Sequence, residues 1–167
     1  MELIEPSLKF FESYKSALAE LEASSVTGFW GLFGPPDDPH EYLERIGTYR
    51  HKAGLPESSV PASVFWLVEA DDFIGHVSIR HELNAALERR GGHIGYAIRP
   101  SQQRQGYGSR ILEMAIPLAR ELGIDRALLT CDKDNTASRR IIEKNGGTLS
   151  DEIEVNGKPS LRYWIAL

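Results

Sequence analysis

The most restrictive feature of this sequence is a strand, a glycine-containing turn and a long amphipathic helix in direct succession, within residues 91–122. Residues 93–98 are apolar and aromatic, and Pro100 ends the predicted strand because proline cannot extend a hydrogen-bonded ladder. Beyond the turn, apolar residues recur every three or four positions, which predicts a helix with one face on a core. These positions are Ile111, Leu112, Ala115, Ile116, Ala119 and Leu122.

The turn that enters this helix is suited to bind an anion. A helix N-terminus presents unpaired main-chain N–H groups at the positive end of the helix dipole, where a phosphate binds well. Gly106 and Gly108 lack a Cβ, so a ligand can approach the backbone closely. The spacing matches neither the Gly-Lys-Ser/Thr loop of nucleotide-binding proteins nor the three-glycine dinucleotide fingerprint. On residue types alone, a tight turn without a ligand is the alternative.

The order of residues here resembles the acetyl-CoA-binding motif of the GNAT family of N-acetyltransferases. In that family the pattern (Arg/Gln)-x-x-Gly-x-(Gly/Ala) follows the fourth strand, and Gln103, Gly106 and Gly108 match it. The resemblance continues to about Gly147, and residues 80–96 look like an uncharacterised bacterial subgroup. It implies an α/β (α+β) fold with a mixed, mostly antiparallel central sheet of six or seven strands and helices on both faces.

The resemblance also implies the reaction and the co-substrate. The family transfers an acetyl group from acetyl-CoA (coenzyme A) directly to an amine, without a metal. The turn amides would hold the pyrophosphate, and main-chain groups near Ile98 would pair with the pantetheine arm and polarise the thioester carbonyl. The implied coenzyme-binding residues are Ile98, Gln103, Arg104, Gln105, Gly106, Tyr107, Gly108, Ser109, Asn135 and Ser138.

A second family motif, Asn-x-x-(Ala/Ser), matches at Asn135 and Ser138. Asn135 is also a good helix N-cap, and the two roles are compatible. The family's tyrosine acid commonly stands seven residues after this Asn, where the chain has Ile142, which cannot donate a proton. Tyr96, Ser138, a water molecule or departure of the unprotonated thiolate are the alternatives. The substitution also leaves open a different function, a non-catalytic acyl-CoA-binding regulatory module.

The general base is open as well. A glutamate that is common near the start of the family's fourth strand falls at Gly92. His93 is adjacent and an imidazole accepts protons near neutral pH, but alternation along the strand places it opposite Tyr96, so a bulge would be needed. His81 is the second candidate. For either histidine a purely structural role is the alternative, and Tyr96 is a predicted wall of the acetyl site.

Size and composition narrow the remaining possibilities. We expect one domain in 167 residues, with an acceptor-side region in residues 1–59, a coenzyme core in 60–147 and a C-terminal hairpin in 148–167. A net charge of −5 argues against nucleic-acid binding. With no signal peptide or long apolar run, and with Cys131 as the single cysteine, we expect a cytoplasmic protein that binds no membrane. Histidine and cysteine spacing predicts no metal site. The partners would be a small-molecule or peptide amine acceptor, and the resemblance allows a homodimer.

Residues before the central strand predict two helices and a β-hairpin. Apolar residues at helical spacing indicate helices over 7–24 and 40–52, and two apolar runs, 60–69 and 72–81, surround a polar turn. Aromatic residues between the two helices pack beneath a loop or, as the resemblance favours, form a wall of the acceptor pocket. These are Phe29, Trp30 and Phe33.

Residues after the turn predict a proline-containing helix, one more strand and a closing hairpin. Pro117 removes a hydrogen bond inside the long helix, which predicts a kink or a widened turn, and Gly123 caps the helix end. Residues 126–131 form the next predicted strand. Residues 152–155 and 161–167 flank Asn156-Gly157, a strong hairpin-turn signal.

Overall fold

The computed structural model describes residues 1–24 and 38–167. The predictions for Phe29, Trp30 and Phe33 lie outside the described residues. In chain order the strands are β1 (Glu2–Ile4), β2 (Ala62–Glu69), β3 (Asp72–Arg80), β4 (Ile94–Ile98), β5 (Arg126–Asp132), β6 (Thr148–Val155) and β7 (Lys158–Ala166). The helices are α1 (Phe11–Ala23), α2 (Pro39–Tyr49), α3 (Ala85–Arg89), α4 (Tyr107–Glu121) and α5 (Thr136–Lys144).

The strands within the described residues form two antiparallel sheets rather than one. The first has the order β1-β2-β3-β4 and the second the order β5-β7-β6. The α/β class and the number of strands are confirmed, and both predicted hairpins are present. The predicted central sheet is therefore divided between β4 and β5.

Helices cover both faces of the first sheet, as predicted. On one face, an aliphatic core joins β3, β4 and the second sheet to Ile111, Leu112 and Ala115 of α4. On the other face, an aromatic core contains Trp66 and Phe73 of the sheet together with side chains of α1 and α2. The sheet therefore separates two chemically different cores.

Local sequence signals account for most of the helix ends. Asp38 caps α2 by accepting hydrogen bonds from two main-chain N–H groups, and Asn135 caps α5 through the N–H of Ser138 at 3.0 Å. Gly123, at φ +82°, follows α4 as predicted. The helix is α-helical on both sides of Pro117, without a π turn, so the widened turn is absent and a kink stays a prediction.

Other features of the fold also differ from the sequence prediction. A short strand, β1, precedes the first helix and pairs with the end of β2. The polar insertion before β4 contains the short helix α3, which Asn84 caps by accepting from the N–H of Leu87 at 3.0 Å. The second helix ends at Tyr49, three residues earlier than residue 52. The first two elements are too short for a clear periodic pattern.

Candidate functional site

Among the described residues, the main-chain hydrogen bonds that join the two sheets lie directly before β4. The main-chain N–H of His93 donates to the carbonyl of Leu128 at 2.7 Å, and the N–H of Leu128 donates to Nδ1 of His93 at 2.9 Å. Gly92 lies against the same strand: an added Cβ would come within 2.2 Å of the Leu128 oxygen. This connection between the sheets, called the joint below, therefore requires a glycine at position 92 and a side-chain hydrogen-bond acceptor at position 93.

Further polar contacts stabilise this joint. Arg90 forms an ion pair with Asp132 at 2.8 Å, and the N–H of Gly91 donates to Oγ1 of Thr130 at 2.8 Å. The buried guanidinium of Arg80 donates to the carbonyls of Gly91 and Gly92 at 3.3 and 3.1 Å. The connection before β4 is thus held to both sheets.

Beyond the joint, one edge of β4 has no strand partner among the residues that the structure describes. In the segment 93–99, the odd-numbered residues form the hydrogen bonds to β3. The N–H of Arg80 donates to the carbonyl of His93, and the N–H of Arg99 donates to the carbonyl of Ile74. Because bonding alternates along an antiparallel strand, the main-chain groups of Tyr96 and Ile98 point away from β3. The strand edge that faces the gap between the sheets therefore carries main-chain groups that pair with no described strand.

The glycine-containing turn lies at the far end of this edge. The side chain of Gln103 donates to the carbonyl of Ile98 at 3.1 Å, and Arg104 and Gly106 adopt positive φ angles of 64° and 90°. Within residues 1–24 and 38–167, the main-chain N–H groups of residues 104–108 have no hydrogen-bond partner. The turn thus presents several unpaired donors where α4 begins.

The two glycines of the turn have different roles. A Cβ added at Gly106 would meet nothing within 4 Å, so the space in front of this residue is open. At Gly108 an added Cβ would lie 2.7 Å from Cδ1 of Ile141, in α5. Gly106 therefore suits close approach of a ligand, whereas Gly108 allows α4 and α5 to pack together.

Tyr96 points from β4 towards the start of α5. Its hydroxyl is enclosed by the surrounding residues. Burial raises the pKa of Tyr96, interaction with the hydroxyl of Ser138 lowers it, and the thiol of Cys131 raises it again. Among the predicted site residues, the structure therefore brings Tyr96 and Ser138 together in an enclosed place.

The histidines are not close to this hydroxyl. His93 lies three residues before Tyr96, about 10 Å along an extended strand. His81 lies four residues beyond Val77, the register partner of Tyr96, so it is about 13 Å away along the sheet. Its Nε2 is 2.9 Å from Oγ of Ser63.

Electrostatics keep both histidines neutral near pH 7. Burial and then the charge of Arg80 lower the pKa of His93, and burial and then the charge of Arg50 lower that of His81. Since Nδ1 of His93 accepts from Leu128, its proton is on Nε2, and this ring nitrogen is a donor.

Ile142 lies in the aliphatic core, 1% exposed, and adding a Cβ to Gly147 would clash with it. This position therefore serves packing and contributes no proton donor.

Sequence patterns did not indicate a group of polar residues that lies beside the turn before α4. Glu20 of α1 binds Arg99 and Ser101, which flank Pro100 directly before Gln103. Only the presence of an arginine at the strand end could have suggested it.

A family model described as an acetyltransferase (GNAT) domain matches residues 11–148. The chain belongs to the GNAT family. The match contains α1 to α5, the gap between β4 and β5, and the turn before α4. No match was found among curated protein sequences.

Solved acetyltransferases have the same GNAT fold at low sequence identity. A variant of spermidine N-acetyltransferase SpeG from Vibrio cholerae has a TM-score of 0.66 and 16% identity, over 99% of this chain and 95% of that one. A Salmonella typhimurium acetyltransferase that modifies the N-terminal serine of a 50S ribosomal subunit protein has a TM-score of 0.64 and 19% identity, over 99% and 94%. The microcin self-immunity acetyltransferase MccE, solved with acetyl-CoA and AMP, has a TM-score of 0.68 and 19% identity, over 99% and 91%.

Two kinds of feature are absent from residues 1–24 and 38–167. No helix there combines the length and apolar character needed to cross a membrane. No group of three or more His, Cys, Asp or Glu side chains there could hold a metal ion.

Proposed function

We propose that this GNAT domain transfers an acetyl group from acetyl-CoA to the amine of an acceptor. The proposal rests on one observation: two sets of main-chain groups that pair with no other described strand or helix follow each other directly along the chain. The open edge of β4 leads directly to the unpaired amides of residues 104–108. A pantetheine arm needs hydrogen bonds along its length, and a pyrophosphate needs several converging N–H donors, so this order fits acetyl-CoA.

The described residues fit the co-substrate at two places. The amides around Gly106 would hold the pyrophosphate in the open space in front of this residue, where an added Cβ would meet nothing. Main-chain groups of Tyr96 and the N–H of Ile98 would hold the pantetheine arm and orient the thioester. Acetyl-CoA itself supplies the activated acetyl group and a thiolate leaving group.

We assign the acid role to Tyr96. Its hydroxyl is buried, and its raised pKa keeps the proton on the oxygen at neutral pH. Ser138 is near enough to orient it. A protonated phenol beside the departing sulfur would complete the transfer by donating this proton.

The base assignment favours His81 over His93. Nδ1 of His93 is occupied by Leu128, so we propose that His93 holds the sheets together rather than removing a proton. His81 is neutral near pH 7, and its Nε2 lies within hydrogen-bond distance of Oγ of Ser63. Since His81 lies far from Tyr96 along the sheet, a proton would reach it through Ser63 or water.

The acceptor is proposed as a primary amine of a small molecule or of a peptide. Similar structures are named for acting on spermidine and on the N-terminal serine of a ribosomal protein. Both are amines, but they differ in size. We further propose a cytoplasmic location, and the homodimer stays a prediction.

A non-catalytic coenzyme-binding module is the second candidate. The buried Ile142, in place of the common tyrosine, is the observation that favours it. The two candidates differ in turnover and not in coenzyme binding.

The experiment is a thiol-release assay with acetyl-CoA over a panel of amines that includes polyamines, amino acids and N-terminal peptides. Release that depends on one amine class supports the transferase. Coenzyme binding without release on any amine supports the module.

A further inference from the structure

We infer that Glu20 of α1 is a positioning residue for the glycine-containing turn of residues 103–108, called the coenzyme turn below. This inference rests on the proposed function. Oε1 of Glu20 accepts from Nε and Nη2 of Arg99 at 2.7 and 2.6 Å. Oε2 accepts from the main-chain N–H of Ser101 at 3.1 Å. Both carboxylate oxygens are therefore used on the two sides of Pro100.

These contacts fix the place where the coenzyme turn begins. Pro100–Gln102 forms a single turn of 3-10 helix between β4 and the unpaired amides. Glu20 binds Arg99, directly before this turn, and Ser101, the second residue of the turn. The side chain of Gln103, directly after the turn, donates to the carbonyl of Ile98. The direction in which residues 104–108 leave β4 therefore depends on one side chain from another helix.

The same arginine extends along α1. Nη1 of Arg99 donates to Oγ of Ser13 at 3.2 Å, and Oγ of Ser13 accepts from the N–H of Phe73 at 2.9 Å. Ser13 and Glu20 are seven residues apart, two turns along one face of α1. This polar stripe of α1 binds the start of β3 and the end of β4 together.

The Glu20–Arg99 pair is shielded in a way that ordinary surface pairs are not. The side chain of Arg99 is 14% exposed and that of Glu20 is 29% exposed. In the Glu12–Lys15 pair of the same helix, the Lys15 and Glu12 side chains are 51% and 86% exposed. Charge-assisted hydrogen bonds shielded from water contribute more than exposed pairs, so losing the first pair should have a measurable effect.

Glu20 stays charged in this setting. Burial would raise its pKa, but the hydrogen bonds from Arg99 and Ser101 hold the pKa of Glu20 below its usual value. The contact is therefore present throughout the neutral range.

The experiment compares Glu20→Gln with Glu12→Gln in the full-length chain. Both variants replace a carboxylate of α1 that pairs with a cation, but only Glu20 reaches the coenzyme turn. For Glu20→Gln we expect about a tenfold rise in KM for acetyl-CoA and in Kd by titration, with kcat within about twofold. For Glu12→Gln we expect no change in either constant.

Two further variants test whether the effect comes from the contact between Glu20 and Arg99. Arg99→Lys retains the charge but loses the two-nitrogen contact, so it should raise KM by a similar factor. In the double variant Glu20→Gln with Arg99→Lys, the rise should be smaller than the product of the two single effects, because both remove the same contact.

The outcomes separate this inference from the proposed function. If the unaltered protein does not bind acetyl-CoA, the proposed function fails and the inference with it. If the unaltered protein is active and Glu20→Gln behaves like Glu12→Gln, the inference alone is overturned. Equal losses in kcat and coenzyme affinity, together with a lower melting temperature, would also overturn it, since they indicate general loss of stability.

Discussion

Nδ1 of His93 accepts a hydrogen bond from the main-chain N–H of Leu128 at 2.9 Å, and the main-chain N–H of His93 donates to the carbonyl of Leu128. The residue directly before β4 thus satisfies both main-chain groups of one residue of β5. No other strand-to-strand ladder joins the two sheets among residues 1–24 and 38–167. The gap that we assign to the coenzyme opens beyond this contact.

Replacing His93 should therefore change stability more than chemistry. In His93→Ala the N–H of Leu128 loses its acceptor, which should lower the free energy of unfolding by about 1–3 kcal/mol. Chemical denaturation measures this loss. His40→Ala is the control, since His40 is an exposed histidine of α2. A large fall in kcat with unchanged stability would instead support His93 as the base.

The same contact predicts a pH dependence of stability. The pKa of His93 is lowered in the folded protein by burial and then by Arg80, whereas the unfolded chain titrates near pH 6.5. The unfolded chain binds the additional proton first, so this stability is present above about pH 6.5 and is lost as the pH falls below it. Burial lowers the pKa of His76 to about 4, which adds to the same trend.

The test is the melting temperature between pH 7.5 and pH 5.5. It should fall with pH in the unaltered protein and fall less steeply in His93→Ala. Parallel curves for the two proteins would contradict the assignment of a neutral acceptor to His93.

Gly92 should tolerate no side chain. A Cβ at Gly92 would lie 2.2 Å from the carbonyl oxygen of Leu128, and this atom belongs to a buried strand that cannot move easily. Gly92→Ala should therefore lower stability by more than about 3 kcal/mol, within the range of severe core disruptions. Gly47→Ala is the matched control: a Cβ there meets nothing, and alanine favours the helix by about 0.5–1 kcal/mol. Equal melting temperatures for the two variants would contradict the close approach of β4 and β5.

Tyr96→Phe tests the acid. Loss of the hydroxyl should reduce kcat at least about 100-fold, the lower range for general acid–base catalysis, with little change in acetyl-CoA affinity. Tyr42→Phe removes a different buried hydroxyl, in the aromatic core, and should leave kcat nearly unchanged. Single-turnover measurement of thiol release is suitable for both. Full activity in Tyr96→Phe would show that the thiolate leaves without this proton.

Local signals in the sequence predicted the parts of the fold that depend on neighbouring residues. The turn before α4, the cap at Asn135 and the hairpin at Asn156-Gly157 each depend on a few residues within one turn or helix end. Hydrophobic periodicity likewise located the longer helices and the β2–β3 hairpin.

Contacts between distant residues could not be predicted in this way. Glu20 and Arg99 are 79 residues apart, and His93 and Leu128 are 35 apart. No local pattern distinguishes such residues from solvated charges or from an ordinary strand histidine. Ile142 is the reverse case: its position in the family motif indicated that an acid was missing and left several replacements open, and the packing around Tyr96 favours one of them.

The central claim is that the turn amides and the β4 edge together hold acetyl-CoA, and isothermal titration tests it most directly. The titration compares acetyl-CoA with acetyl-pantetheine, which has the same thioester arm but lacks the pyrophosphate and the nucleotide. We expect micromolar binding of acetyl-CoA and binding of acetyl-pantetheine that is at least about 100-fold weaker, because only the first can use the amides of residues 104–108. Absence of acetyl-CoA binding, or equal affinity for the two compounds, would contradict the account.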